Sequence, residues 1–285
     1  MEKTKRDLFS KNIETIKDLL QKKNKLYSLE DLNLLLGRLK TKRLIAQDVS
    51  SRRFFDLLQN RLGLKTYSVS SKKINKVRYS LYSDINIYDF VSTFEKQGFF
   101  SMTTALNIQQ LSNQKDNFVF FSKELSLKKY FGNNLLVQDD IDQAYQKEYR
   151  FTRSIASYED KHIIYLTPKN TKCFEVIEYD GYAVSSVHRA FVEMIMNVQY
   201  FKNFDTVIKI FEPLKDKLDP KKVFDVVRSF NPIYPYYQLV GFSLHRIGFD
   251  EKNLVLFKEH VTDLKFYTEK NKHKYSFDND WNMYY

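Results

Sequence analysis

Apolar side chains recur at helical spacing from the start of the chain. Phe9, Ile13, Ile16 and Leu20 share one face, with Lys and Asp between them. Ser28 is placed to cap a second helix that buries Leu29, Leu32, Leu35 and Leu36. A connection runs from Arg38 to Val49. Ser50 or Ser51 then caps a third helix, which ends near Gly63, a residue suited to a left-handed helix terminus. Advancing about 100° per residue from Phe54 puts Leu57, Leu58 and Leu62 on one face. Arg52, Arg53, Asp56, Gln59 and Asn60 fall on the opposite face. After this helix the period changes to strict alternation, through Leu64, Tyr67 and Val69 and then Val77, Tyr79 and Leu81. The polar, basic turn Ser70-Ser71-Lys72-Lys73-Ile74-Asn75-Lys76 lies between the two runs. Three helices and a basic hairpin, in this order, predict a winged helix-turn-helix over residues 1–82.

The remainder, 83–285, reads as a larger mixed α/β domain with a helical C-terminal half, so the whole chain is α+β. Ile87 to Lys96 has helical spacing and stops at Gly98, and Ser101 is placed to cap a helix containing Ala105, Leu106 and Leu111. Short β-prone runs follow at Asn117–Phe121, His162–Leu166 and Phe174–Tyr179, the last turning at Asp180-Gly181 into Tyr182–Val184. Helical periodicity then marks 187–198, 204–215, 221–230 and 236–247, with Asp219-Pro220 as a start signal. Asp263–Thr268 predicts one more strand, and the chain finishes on Trp281-Asn282-Met283-Tyr284-Tyr285.

Charge sharpens this division. Residues 1–80 hold 20 Lys/Arg against 8 Asp/Glu, a net of +12, whereas 81–285 hold 26 against 27, a net of −1. The excess of +11 over the 285 residues therefore belongs to one segment, and local positive charge is what a phosphate-binding module needs. Asp56 would repel phosphate but can accept from a cytosine amine, and Arg, Gln and Asn suit purine edges. On this reading Ser51, Arg52, Arg53, Gln59 and Asn60 meet the bases of double-stranded DNA. Lys40, Lys42, Arg43, Lys72, Lys73, Lys76 and Arg78 hold its phosphates. The start of the chain, Met1 to Arg6, leads into an amphipathic stretch with no signal-peptide core, and no run approaches a membrane span. The expectation is a cytoplasmic protein that touches no membrane.

The chemistry that usually marks an enzyme is sparse. The seven glycines are scattered, which disfavours a phosphate-cradling loop. One cysteine, Cys173, excludes a disulfide framework and a Cys-based zinc site, and the five histidines form no helical i, i+4 pair. Cys173 with His188 lacks a third partner. Glu175, Glu178, Asp263 and Lys265 on predicted strands are the residue types of a metal-dependent nuclease, without its signature spacing. No catalytic residue, cofactor or metal is expected.

Three blocks carry a family resemblance, in the order Gly98–Ser112 (GFFSMTTALNIQQLS), Gly181–Ile195 (GYAVSSVHRAFVEMI) and Ile233–Phe249 (IYPYYQLVGFSLHRIGF). With the basic N-terminal segment they resemble the AbiE-type (AbiEi) antitoxins of bacterial type IV toxin–antitoxin systems, which act in abortive infection against phage. Ser101, Ala105, Leu106 and Leu111 match the first block, where Met102 stands in place of a His and Gln109-Gln110 in place of His-Gly. The second block has His188-Arg189 for the family's Glu-Arg, and Glu193 at the place of an Asp. Tyr234, Pro235, Tyr236, Gln238 and Gly241 match the third. The resemblance implies structural roles for Ser101, Arg189, Glu193, Pro235, Gln238 and Gly241, Arg189 as an anchor tying carbonyls or a carboxylate. It also implies an N-terminal domain that represses its own operon at operator repeats, and a larger domain that counteracts a nucleotidyltransferase-like toxin. A free-standing repressor with a ligand-sensing domain is the alternative, and a nuclease a further one.

Overall fold

Asp7 caps the first helix, α1 (Leu8–Lys11), and Asn12 ends it by donating its side-chain amide to Leu8 O at 2.9 Å and Leu44 O at 3.1 Å. The expected single first helix is therefore two pieces, with α2 (Ile13–Lys23) following. Residues 7–23, 25–112, 117–126 and 136–285 are described in this computed structural model, so Met1–Arg6 lies outside the described residues. A capping box between Ser28 and Asp31 opens α3 (Leu29–Thr41), which buries Leu32, Leu36 and Leu39. Leu29 departs from expectation: it stands at the first helical position and is 53% exposed. The helix also runs into the segment read as a connection, and Arg43 closes it with a φ of +55° while Leu44 N–H reaches Leu39 O at 2.9 Å.

Ser50, and not Ser51, caps α4 (Ser51–Leu62), its hydroxyl accepting from Arg53 N–H at 3.2 Å. Gly63 ends α4 at φ +70°, with Gly63 N–H on Gln59 O and Leu64 N–H on Leu58 O, both at 3.1 Å. Phe54 and Leu58 enter a core with Phe9, Ile16, Leu20 and Leu39. Strands β1 (Lys65–Ser70) and β2 (Asn75–Ser80) then pair antiparallel, from Lys65 opposite Ser80 to Ser70 opposite Asn75. Tyr27, between α2 and α3, adds one antiparallel bridge to Tyr79, with N···O distances of 2.9 and 2.8 Å.

The chain divides into two units, Met1–Lys96 and Gln97–Tyr285. The first unit therefore reaches beyond Tyr82 and includes α5 (Ile87–Ser92). The reason lies in β2, whose Lys76 and Arg78 side chains bind residues 93–95, just past α5.

The second unit is built on a mixed six-stranded sheet. Its strands are β3 (Phe99–Phe100), β4 (Phe118–Ser122), β5 (Ile155–Tyr158), β6 (Lys161–Leu166), β7 (Val176–Tyr179) and β8 (Tyr182–Ser185), in the order β5-β6-β4-β3-β8-β7. β4 with β6 and β3 with β8 are parallel, and the other pairings are antiparallel. Asp180 at φ +50° and Gly181 at φ +78° make the β7–β8 turn, the conformation that an Asp-Gly pair favours between twisted strands. Helices α6 (Met102–Ile108) and α8 (Val187–Met196) pack together on the sheet. Every residue of α8 from Val187 to Ile195 is buried, so it is the central helix of this unit. Around it stand α7 (Gln138–Gln146), α9 (Phe204–Phe211), α10 (Pro220–Phe230), α11 (Tyr236–Ile247) and α12 (Val255–Lys258). A second, three-stranded sheet is formed by β9 (Phe266–Tyr267), β10 (Phe277–Asp278) and β11 (Met283–Tyr284), with β11 in the middle. The fold is thus mixed α+β. Among the described residues no helix is long and apolar enough to cross a membrane.

Candidate functional site

The outward face of α4 is where the sequence places base-reading residues. Arg52, Arg53, Asp56, Gln59 and Asn60 are all exposed, as is Ser51. None of their side chains has a hydrogen-bond or ion-pair partner among the described residues. The unpartnered state matters because a guanidinium or amide without a protein acceptor keeps its donors for a ligand. Lys42 and Arg43, just beyond α3, and Lys72 and Lys73, in the hairpin turn, are likewise exposed and unpaired, and Lys40 is half-buried.

Two expected phosphate ligands behave differently. Lys76 donates to Phe94 O at 2.8 Å and to the Glu95 carboxylate at 2.9 Å. Arg78 donates from Nε to Thr93 Oγ1 at 2.9 Å, and from its Nη atoms to Thr93 O and Val77 O at 2.5 and 2.8 Å. Burial, the largest influence on Arg78, lowers its proton affinity. Both cations fasten β2 to the segment after α5, so their charge is spent within the fold. Of the expected ligands, the cations without a partner among the described residues are those of α4, the α3 terminus and the hairpin turn.

The second concentration of polar groups lies inside the C-terminal unit. Arg189 is fully buried on α8 and donates in three directions: Nε to Glu193 at 2.7 Å, Nη1 to Thr171 Oγ1 at 2.8 Å and Phe174 O at 2.6 Å, and Nη2 to Glu124 at 2.9 Å. The rings of Phe99 and Phe230 lie 4.7 and 5.3 Å from its guanidinium carbon. Burial by itself favours the neutral arginine, but Glu193 and Glu124 outweigh it and hold the proton more tightly than usual. Glu193 also accepts from Ser185 Oγ at 2.8 Å. Glu124 accepts from the Thr171 hydroxyl and from the amides of Thr171 and Cys173 at 2.8 and 3.0 Å. Burial pushes the Glu124 carboxyl up, and these hydrogen bonds together with Arg189 bring it below its ordinary range.

The loop that supplies these amides is strained. Lys172, Cys173 and Glu175 all have left-handed backbone, with φ of +58°, +53° and +55°. Turns of this kind gather N–H groups into an anion-binding concavity, and here the Glu124 carboxylate fills it. Each left-handed non-glycine residue costs about 1–3 kcal/mol, so the buried network holds the loop against its own preference. The arrangement anchors the loop to α8.

The remaining motif residues are structural contacts as well. Ser101 stands at the start of α6, but its hydroxyl serves no cap and instead meets Ser122 Oγ at 2.8 Å. Pro235, at the start of α11, is buried. Gln238 uses its whole amide: Nε2 donates to Leu264 O and Asn282 O, both at 2.9 Å, and Oε1 accepts from Thr262 N–H at 3.1 Å. Gly241 lies against the Trp281 ring. Glu124 was missed by sequence reasoning, and only its position opposite Arg189 gives it a role.

The residues that suggested a nuclease are not brought together. Glu178 lies on β7 of the large sheet, whereas Asp263 and Lys265 precede β9 of the small one. Glu175 faces His188, with Oε2 3.4 Å from Nδ1. Among the described residues no group of three or more His, Cys, Asp and Glu stands close enough to hold a metal ion. Burial pushes the Cys173 thiol up, away from the reactive thiolate.

A scan against protein-family models returns no match, and neither does a search of curated proteins. Among solved structures the fold is similar to the crystal structure of the Rv2827c protein from Mycobacterium tuberculosis. The TM-score is 0.57 at 10% identity, over 96% of this chain and 91% of that one, so the likeness is one of fold.

Proposed function

We propose that this chain is a DNA-binding autoregulator, the antitoxin of an AbiE-type toxin–antitoxin pair, with residues 1–82 as a winged helix-turn-helix. The observation that carries the reading is the face of α4, where two arginines, a glutamine and an asparagine stand exposed and unpartnered in the unit that holds the chain's positive excess. The Tyr27–Tyr79 bridge supports it further, because it ties the segment between α2 and α3 to the hairpin. On this reading Ser51, Arg52, Arg53, Gln59 and Asn60 enter the major groove, and Lys40, Lys42, Arg43, Lys72 and Lys73 hold phosphates. The near-neutral C-terminal unit acts against a nucleotidyltransferase-like toxin, by binding and without bond chemistry.

The test has two arms. The first titrates a labelled duplex from upstream of the protein's own gene with the full chain and with the Arg52→Ala, Arg53→Ala double variant. Loss of sequence-selective binding in the variant is expected, with each base contact contributing about 1–3 kcal/mol. The second arm co-expresses each form with the adjacent gene and scores growth. Rescue by both forms supports two separable functions. A folded double variant that still binds the duplex selectively, or no rescue by the parent chain, overturns the reading.

A further inference from the structure

A cavity of about 210 Å³ lies within the C-terminal unit, where α7, α8 and α11 meet the segment after β9. Its wall includes Tyr145, Tyr149, Arg150, Tyr236, Thr268 and Lys270. Two of these groups are cations and the other four carry hydroxyls that can donate. Thr268 is 2% exposed, and its hydroxyl has no hydrogen-bond partner among the described residues. The Tyr149 oxygen accepts from Lys270 N–H at 2.7 Å, which leaves its own proton to give. The Tyr145 and Tyr236 hydroxyls have no partner among the described residues, nor does the exposed Arg150 guanidinium.

Lys270 adds a second cation. Its ammonium donates to Ala144 O at 2.6 Å and Lys147 O at 3.2 Å, and it stands 5.6 and 5.7 Å from the Tyr145 and Tyr149 ring centres. The one carboxylate on the wall, Glu269, is already engaged, accepting from Phe204 N–H at 3.1 Å and facing Lys272 at 3.6 Å. Burial first, and then the charges of Arg150 and Lys147, lower the proton affinity of Lys270, with Glu148 opposing. Positive charge here is thus incompletely neutralised.

An apolar guest would leave the buried Thr268 hydroxyl unpaired, and a cationic one would meet two like charges. A guest carrying several acceptor oxygens satisfies both the hydroxyls and the cations, and the tyrosine rings offer flat faces to its body. A volume of about 210 Å³ is of the order of the cavities that admit one benzene-sized ring, so it suits a single ring with one anionic group. We propose that this cavity binds a small aromatic oxyanion, a carboxylate or a phosphate ester. No residue of the DNA-binding face takes part, so this proposal stands or falls apart from the one above.

The experiment titrates the full chain by calorimetry with benzoate, phenyl phosphate and neutral benzyl alcohol. Saturable binding of at least one anion is expected, with a dissociation constant on the order of 1 mM or tighter for so small a ligand. Whichever anion binds more tightly names the oxyanion. Benzyl alcohol should be at least about tenfold weaker, because it lacks the charge that makes the hydrogen bonds strong. Arg150→Gln, an exposed and fold-neutral change, should weaken the anion about tenfold on the same ground. Thr268→Val should weaken it too, yet raise the thermal midpoint of the free protein, since it removes an unpaired buried hydroxyl. No saturable binding of either anion up to about 10 mM, a range that covers fragment-sized ligands, overturns the proposal. So does equal binding of the neutral alcohol, or an Arg150→Gln variant with unchanged affinity.

Discussion

Replacing Gly241 by alanine tests the packing that joins α11 to the end of the chain. A Cβ at this position would lie 2.4 Å from Trp281 Cζ3, 2.7 Å from Trp281 Cη2 and 2.7 Å from Phe257 Cβ. Carbon atoms normally approach to about 3.5–4.0 Å, so each contact is short by roughly 1 Å. The ring cannot step aside easily. Trp281 is 1% exposed, its amide donates to Asp278 Oδ1 at 3.0 Å, and Lys258 Nζ stands 4.1 Å from its ring centre. Three such contacts place the cost at the upper end of the range for overpacking, about 3 kcal/mol, and alanine returns about 1 kcal/mol of helix propensity. A net loss of about 2 kcal/mol follows, which at a urea dependence of about 2 kcal/mol per molar lowers the unfolding midpoint by about 1 M. Trp281 is the only tryptophan in the sequence, so its fluorescence reports on the C-terminal unit alone. The steric origin is checked by a double-mutant cycle with Trp281→Phe, followed by far-UV circular dichroism, because phenylalanine removes the two ring atoms that clash. The substitution pair should be less destabilising than the sum of the single changes. An unchanged or raised midpoint for Gly241→Ala, or a cycle with no coupling, would refute the reasoning.

The two classes of cation in the N-terminal unit and the carboxylate of the C-terminal network give the other expectations. Lys72→Ala should weaken DNA binding evenly across sequences and reduce the slope of log affinity against log salt by about 1, as loss of one phosphate contact does. Lys76→Ala should leave that slope unchanged while lowering the stability of the N-terminal unit; equal loss of slope in both variants would sink the distinction. For Glu124, a folded-state pKa below the ordinary 4.5 means its stabilisation is present above that pH and is lost as the pH falls through the folded value. Glu124→Gln should therefore be less stable than the parent near neutral pH and lose less further stability on acidification. Parallel acid limbs for the two proteins, read by Trp281 fluorescence, would show that Glu124 carries no such linkage.

What could be read in advance followed from local rules. Helices α8 to α11 announce themselves by long apolar stripes with capping residues and proline punctuation, and the Asp180-Gly181 turn is specified by two residues. The two-residue strands β3, β10 and β11 exist only through their partners and no local pattern encodes them, whereas β9 falls within the expected Asp263–Thr268. Ser101 shows the same limit at one atom: its place before α6 is right for a cap, but Ser122 takes its hydroxyl. Glu124 is 65 residues from Arg189, so sequence spacing gave no reason to single it out. Charge counts do not separate a cation engaged within the fold from a free one, and the acceptors of Lys76 and Arg78 arrive from residues 93–95.

That distinction sorts the arginines of the whole chain. Arg189 sits among two carboxylates, a hydroxyl, a carbonyl and two rings, and removing it would strand two buried negative charges at a cost of about 3–5 kcal/mol. With four of its five N–H groups engaged inside the unit, Arg189 is held as an anchor, however prominent it is in a motif. Arg52 and Arg53 carry the same group with no acceptor among the described residues, so their substitution should cost little stability. A change that leaves the fold intact and abolishes binding is the signature of an interface, and a change that does the reverse is the signature of a scaffold. By that criterion the resemblance motifs of the C-terminal unit describe how it is built. The unpaired donors at Thr268 and Arg150 lie outside them and are one place where the described residues leave binding capacity unspent.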